Sequence, residues 1–237
     1  MKSFIRNLSA PAEFCIVMLI YFGPPIGASM LIAAKHLMHL PQPPVHFNDL
    51  HVLRLFIWEL VAFAVVLWIG RIRGWSLRTF GSRISWGGTG AGVLLFFSSN
   101  IVAVLVHLYE LAHNSHAMAP MRAVTTGGLT LPFVIFNSVT NPVFEEAFEA
   151  GYLIWSLERF GMWPAILAGA LLRAALHAYL GVTGAVVVSA TGIVCGLVYW
   201  RWRQLWPLVV AHALLDFFGL MHLNVFRLLH LTGLWVQ

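Results

Sequence analysis

Long apolar runs separated by short polar segments dominate this sequence. A helix needs about 20 apolar residues to cross a bilayer, and runs of that kind give seven spans. Their approximate limits are 14–34, 53–70, 90–108, 129–157, 163–180, 182–200 and 205–220. The remainder, 222–237, is also apolar and is expected to form a short eighth span or an interfacial helix. The pattern predicts an all-α, polytopic membrane helical bundle with about 7–8 transmembrane helices.

Composition supports a bundle that is surrounded by lipid. Of the 237 residues, 59% are hydrophobic and 10% are charged, whereas about 25% are charged in a typical soluble domain. So few charges cannot cover a globular surface in water. The net charge of +5 comes mostly from arginines in short segments between apolar runs, which is typical of cytoplasmic loops rather than of a nucleic-acid interface. We expect an integral membrane protein whose partners include the lipid bilayer and no nucleic acid.

The basic residues also predict an orientation. A cytoplasmic N-terminus places most of them on the cytoplasmic side, namely Lys2, Arg6, Arg71, Arg73, Arg78, Arg83, Arg159, Arg201 and Arg203. The alternating loops hold Lys35, Arg122 and, if it lies there, Arg227. No repeat or linker divides the chain. We therefore expect one membrane domain over residues 1–237, with the helices of residues 129–222 as its catalytic core.

Three predicted spans carry polar pairs one helical turn apart. An ionisable side chain at the centre of a transmembrane helix costs about 2.5–3.5 kcal/mol, so such groups need partners or a function. Residues four apart share a helix face, and the same spacing on three separate helices is not expected by accident. The pairs are Glu145 with Glu149, Arg173 with His177, and His212 with Asp216.

Together these groups suit acid–base hydrolysis. A carboxylate beside a second carboxylate in a low dielectric retains a proton more firmly, as a general base must. Glu145 is the candidate base, with Glu149 as the neighbour on its face and His177 positioning a water molecule. His212 and Asp216 are candidates for holding a carbonyl oxygen or its oxyanion. An ionised Asp216 would have to act through His212.

Other functions stay open at this point. Two histidines and one glutamate can form a catalytic zinc centre, so a site of Glu145, His177 and His212 is an alternative to the expected absence of a cofactor. Buried glutamates and histidines also form proton relays, which leaves a proton-coupled transporter as another alternative. Glu59, on the second span, is expected at the membrane interface, with a place on the substrate pathway as the alternative.

The ordered set of motifs resembles the CAAX protease and bacteriocin-processing (Abi) family of intramembrane glutamic endopeptidases. That family has Glu-Glu-x-x-x-Arg, Phe-x-x-x-His and His-x-x-x-Asn/Asp. This chain has Glu145-Glu146, His177 and His212-x-x-x-Asp216 in the same order, between about residues 140 and 220. The resemblance implies metal-independent peptide hydrolysis in a membrane, with Glu145 and His177 activating water and the third motif forming the oxyanion site. It also implies a peptide or lipidated protein substrate and a bacterial inner membrane.

Two positions depart from the family pattern. The family arginine falls on Ala150, and the family phenylalanine falls on Arg173. We hypothesise a relocation in which Arg173 pairs with Glu146 or Glu149, because the charge of arginine persists when the side chain is buried. Under the competing hypothesis, the loss at Ala150 marks an inactive relative that acts as a membrane binding or immunity protein. In either case Glu146 is expected to point away from the face of Glu145 and Glu149.

Overall fold

The computed structural model describes residues 2–40, 45–113, 124–125 and 128–231. Over these residues the chain consists of helices joined by short turns, with a two-residue parallel pair formed by β1 (Val45–His46) and β2 (Val124–Thr125). The helices are α1 (Lys2–Arg6), α2 (Ala10–Leu37), α3 (Asp49–Arg73), α4 (Trp86–His113), α5 (Leu131–Glu146), α6 (Leu153–Leu157), α7 (Met162–Leu176), α8 (Gly181–Trp202) and α9 (Trp206–Leu231). Single 3₁₀ turns cover Leu77–Phe80, Glu158–Phe160 and Ala178–Leu180. The predicted polytopic helical bundle is confirmed.

Within the described residues, four helical segments are long and apolar enough to cross a membrane: Ala10–Leu37, Asp49–Arg73, Trp86–Val106 and Ala178–Trp202. Met162–Leu176 and Trp206–Met221 are shorter apolar helices. The predicted fourth span corresponds to α5, a π-helical turn (Ala147–Tyr152) and α6, which follow one another without a break. This segment carries the three neighbouring glutamates.

The prediction of a separate helix after residue 221 is wrong for residues 222–231. The seventh span, α9, runs on to Leu231, because no glycine or proline interrupts the sequence between Gly219 and that residue. Residues 232–237 and Arg122 lie outside the described residues.

One end of the bundle gathers most of the arginines, and we call it the arginine end. It comprises α1, the start of α2, the end of α3, residues 74–85, the end of α6, and the turn between α8 and α9. Its contacts include an Arg73 Nε–Glu13 Oε2 ion pair of 2.6 Å and an Arg203 Nη1–Glu158 Oε2 pair of 2.8 Å. The Leu205 backbone N–H also donates to the Gly81 carbonyl at 3.1 Å.

The opposite end, which we call the distal end, comprises the end of α2, β1, the start of α3, β2, the start of α5, and residues 177–181. Asp49 Oδ1 accepts from the Thr130 backbone N–H at 2.8 Å, joining α3 to α5. The Tyr179 N–H donates to Ser29 Oγ at 3.1 Å. The site residues lie between these two ends, since Glu145 occupies the fifteenth position of the helical segment that begins at Leu131.

Close helix contact fixes the position of α9, which carries His212 and Asp216. A Cβ atom on Gly92 of α4 would lie 2.6 Å from Val210 Cβ and 2.7 Å from the Pro207 carbonyl oxygen. A larger residue at position 92 would therefore force the two helices apart. Small residues play this part in many membrane helix pairs, because they let backbones approach.

Candidate active site

A π-helical turn begins directly after Glu146 and covers Ala147–Tyr152. Turns of this kind are rare and often occur at functional sites. The turn interrupts the α-helical period on which the i, i+4 inference depended. The expected grouping of the glutamates is consequently wrong: Glu146 and Glu149 face Arg173 together, while Glu145 lies beside His212.

Arg173 of α7 joins the two buried glutamates. Its Nη2 donates to both carboxylate oxygens of Glu146 at 2.7 Å, and its Nη1 lies 2.8 Å from Glu149 Oε2. The pairing half of the relocation hypothesis is confirmed by these distances. Ala150, at the family arginine position, lies in the apolar core and is 3% exposed.

A glycine on α8 provides the space for this arginine. A Cβ atom on Gly192 would lie 2.7 Å from Arg173 Cδ and 3.5 Å from Ala170 Cα. Distances below 3.0 Å require a neighbouring atom to move. The position of the guanidinium thus depends on the close packing of α7 against α8 as well as on the two carboxylates that it binds.

His212 of α9 lies among three carboxylates. Its Nδ1 is 2.8 Å from Glu146 Oε1, and since an ionised carboxylate only accepts, Nδ1 carries the hydrogen. Its Nε2 lies 3.6 Å from Glu145 Oε2 and 3.5 Å from Asp216 Oδ1, both longer than a good hydrogen bond. Asn141 Nδ2 donates to Asp216 Oδ2 at 3.2 Å, so Asn141 joins a site in which sequence reasoning gave it no part.

His177 directly follows the last residue of α7, Leu176. Its Nδ1 is 3.0 Å from the Arg173 carbonyl oxygen, and a carbonyl only accepts, so Nδ1 donates. In the neutral ring, Nε2 then keeps its lone pair. Among the described residues, His177 makes no hydrogen bond or ion pair with Glu145. The sequence-based pairing of these two residues through a water molecule stays a prediction.

A cavity of about 330 Å³ lies between α4, α8, α9 and the end of α7. Five predicted site residues form its polar wall: Glu146, Arg173, His177, His212 and Asp216. Glu145 is not among the lining residues and meets this wall through His212. The rest of the lining comes from Phe47, Ser99, Asn100, Ala103, Tyr179, Leu180, Val187, Val188, Thr191, Cys195, Leu215, Gly219 and Leu220.

Accessibility divides the ionisable groups into two sets. The side chains of Glu145, His212 and Asp216 keep 18%, 13% and 22% of their surface exposed, whereas Glu146 and Glu149 keep 1% and 0%. Glu145 Oε2 and both carboxylate oxygens of Glu149 are buried without a hydrogen-bond partner among the described residues, but Glu149 has an ion pair with Arg173. Two glutamates are therefore committed to Arg173, and the third is not.

Glu59 of α3 was misplaced by sequence reasoning. It is 5% exposed and lies near the middle of α3 rather than at either end, and it interacts electrostatically with Asp216 and His212. On either side of it, Phe56 and Phe63 pack against Phe144 of α5, with ring centroids 5.9 and 5.0 Å apart. The sequence shows that these three residues share one helix face, because Glu59 lies three residues after Phe56 and four before Phe63, but it does not show what that face contacts.

The described residues contain no group of three or more His, Cys, Asp or Glu side chains arranged to hold a metal ion. Of the three ligands considered for zinc, His212 has Nδ1 engaged by Glu146, and His177 has Nδ1 engaged by a carbonyl. The expectation of no cofactor stays a prediction, as does the zinc alternative, and chelation tests both.

The fold and site define a polytopic membrane protein with a buried Glu–Arg–His network below a cavity. Residues 127–218 match the model of the family described as Rce1-like, type II CAAX prenyl endopeptidase. This segment contains all the predicted site residues, from Glu145 to Asp216. The resemblance seen in the motifs is confirmed over this segment, which is similar to that family of membrane-embedded peptide hydrolases. No curated protein and no solved structure matches the chain significantly.

The buried ion pairs predict a large cost for Arg173→Met. Removing one partner leaves Glu146 and Glu149 buried without a cation, and breaking a buried pair costs about 3–5 kcal/mol. Denaturant unfolding of the detergent-solubilised protein measures this cost. Glu158→Gln is the matched control, since it breaks an exposed pair with Arg203 and should cost about 1 kcal/mol or less. Equal costs for the two variants would contradict the structural role of Arg173.

The space at Gly192 predicts that Gly192→Ala displaces the guanidinium of Arg173. Overpacking of this kind costs about 1–3 kcal/mol, and the unfolding transition should shift accordingly. Gly90→Ala is the control, because a Cβ atom there meets nothing within 4 Å and alanine favours a helix. If Gly192→Ala is as stable as Gly90→Ala, the contact between Gly192 and Arg173 does not constrain the site.

Proposed function

We propose that the protein is an intramembrane glutamic endopeptidase that hydrolyses a peptide bond near the membrane with Glu145 as general base. One observation carries the proposal: Glu146 and Glu149 are held by Arg173, while Glu145 stays partly accessible beside His212. A base must be free to accept a proton, and a carboxylate that is bound to a guanidinium is not. Glu146, Glu149 and Arg173 are then supporting residues that hold the site in shape.

His212 and Asp216 are the proposed oxyanion group, and their contacts give each a distinct part. His212 donates from Nδ1 to Glu146, so a proton on Nε2 is the one that would face substrate. Asp216 accepts from Asn141 and lies 3.5 Å from His212 Nε2. We assign Asp216 a positioning role through His212, since an ionised carboxylate would repel an oxyanion.

The proposed reaction needs no covalent intermediate. Glu145 takes a proton from water, and the water oxygen attacks the peptide carbonyl carbon as the carbonyl π bond breaks. His212 Nε2–H stabilises the resulting oxyanion. The C–N bond then breaks, the carbonyl re-forms, and Glu145 returns its proton to the leaving amine. His177, with Nδ1 committed to the Arg173 carbonyl, offers Nε2 as an acceptor that orients the water.

The proposed setting is a bacterial inner membrane with the N-terminus in the cytoplasm. Support comes from the arginine end, where contacts between distant segments bring the basic residues to one side of the bundle. Arginine and lysine are enriched on the cytoplasmic side of membrane proteins. The substrate class is a peptide or lipidated protein, as in the family.

Loss of the base or of its water-orienting partner should abolish turnover while leaving the fold intact. We expect Glu145→Gln and His177→Ala each to lower kcat by about 10²–10⁴-fold, with unfolding transitions close to that of the unchanged protein. The measurement uses purified protein in liposomes, lipidated and unlipidated peptide libraries, and mass spectrometry of the products. Glu158→Gln, remote from the site, should retain full activity.

The alternatives give different results in the same assay. Cleavage that survives both substitutions would refute the assignment of the site. Activity that is lost on chelation and restored by zinc would favour the metal centre of Glu145, His177 and His212. A folded protein that cleaves no peptide would favour the binding or immunity protein, and proton-coupled uptake into the liposomes would favour the transporter.

A further inference from the structure

We infer that the cavity is entered from the distal end of the bundle, so that the enzyme acts on peptide segments outside the cytoplasm. The inference rests on the proposed function for the nature of the substrate. It also uses the cytoplasmic placement of the arginine end, which its own experiment tests. The distal opening itself follows from which residues line the cavity and which residues close it.

The cavity lining runs from the site residues to the distal end of the bundle. Tyr179 and Leu180 follow the last turn of α7, and Phe47 precedes α3, all at the distal end. Ser99 lies 13 residues after the start of α4 at Trp86, or about 20 Å at 1.5 Å per residue. Leu220 lies 14 residues into α9, about 21 Å along that helix.

Toward the arginine end, the bundle is closed by large side chains. Phe80 and Leu208 are 0% exposed, and Tyr152 and Tyr199 are 1% exposed. The Tyr199 hydroxyl donates to the Phe80 carbonyl at 3.2 Å, which ties α8 to the turn after α3. A peptide approaching from this side would have to displace that packed layer, whereas the cavity already reaches the distal end.

Charge assigns the two ends to membrane faces. The arginine end holds Lys2, Arg6, Arg71, Arg73, Arg78, Arg83, Arg159, Arg201 and Arg203, while the described part of the distal end holds Lys35 and Arg54. The excess of basic residues marks the cytoplasmic face. A cavity that opens at the distal end then faces away from the cytoplasm, and a lipidated C-terminus in the cytoplasm would meet the closed layer.

The cavity lining indicates the character of the peptide. Beyond the site residues, the described lining carries no charged side chain and is mainly apolar, with Ser99, Asn100 and Thr191 as polar members. Ser99 Oγ and Asn100 Nδ2 donate to carbonyls of their own helix. Asn100 Oδ1 is then left as an acceptor for a backbone N–H. The lining suits an extended, uncharged segment of an exported peptide or the outer flank of a membrane protein.

Cysteine labelling tests the distal opening without requiring catalytic turnover. A protein without protease activity can therefore still show the distal opening, and an active protease can still lack it. Leu180→Cys and Thr191→Cys report on the cavity in a full-length Cys15→Ser, Cys195→Ser background. Met38→Cys, at the distal end, and Ser82→Cys, at the arginine end, are exposed references. A membrane-impermeant methanethiosulfonate is applied to spheroplasts and, separately, to inverted inner-membrane vesicles.

We expect Leu180→Cys, Thr191→Cys and Met38→Cys to react in spheroplasts and to stay unlabelled in inverted vesicles, with Ser82→Cys showing the reverse. Cavity cysteines that follow Ser82→Cys, or that react in neither preparation, would overturn the distal opening. Labelling of Ser82→Cys in spheroplasts would overturn the extracytoplasmic assignment. Each variant is first shown to unfold like the background protein, so that a missing signal reports access and not misfolding.

Discussion

The site depends on one guanidinium in a low-dielectric interior. Arg173 holds Glu146 at 2.7 Å and Glu149 at 2.8 Å, and both acids are almost completely buried. A buried carboxylate without a partner is costly. Arginine offsets that cost well, because its charge persists when it is buried and its planar guanidinium can bind two oxygens at once. Since Glu146 also accepts from His212, the same guanidinium indirectly sets the position of α9 and of Asp216. The remaining acid, Glu145, is free because Arg173 is occupied by Glu146 and Glu149.

Placing this arginine on α7 changes what the site requires of the fold. In the family motif the arginine lies four residues after the second glutamate, so its pair forms within one helix. In this chain that position is Ala150, which packs in the apolar core, and the cation comes from a neighbouring helix. The pair then exists only when α5, α7 and α8 are assembled, with Gly192 leaving room for the side chain. An intact network of this kind, with an accessible glutamate beside it, favours an active site over a decayed one.

Much of this arrangement could be predicted from the sequence, because apolar run length and i, i+4 spacing report helices and their polar faces directly. The bundle and the helices that carry the site came from such patterns. The pairing of Arg173 with the glutamates came instead from the departures of Ala150 and Arg173 from the family motif. The grouping of the three glutamates did not, since the π turn at Ala147–Tyr152 alters the helical period and leaves no mark in residue spacing. Glu59 was misplaced for another reason: a single acid in an apolar run does not show whether its face meets lipid or α5. The end of α9 was missed because composition alone does not separate one long helix from two short ones.

The two ends of the bundle differ for a physical reason that also bears on function. Near the arginine end, aromatic side chains and helix-end contacts form a closed layer, and the ionisable residues there pair with one another or lie exposed. Toward the distal end, α4, α8 and α9 enclose a cavity instead, and the polar wall of that cavity is the Glu–Arg–His network itself. Under the proposed mechanism and distal opening, water would reach His212, and Glu145 beside it, from the distal side past a mainly apolar lining that carries few groups to retain it. Water and peptide would then share one route, so a bound peptide would limit the hydration of the network to the molecule that reacts.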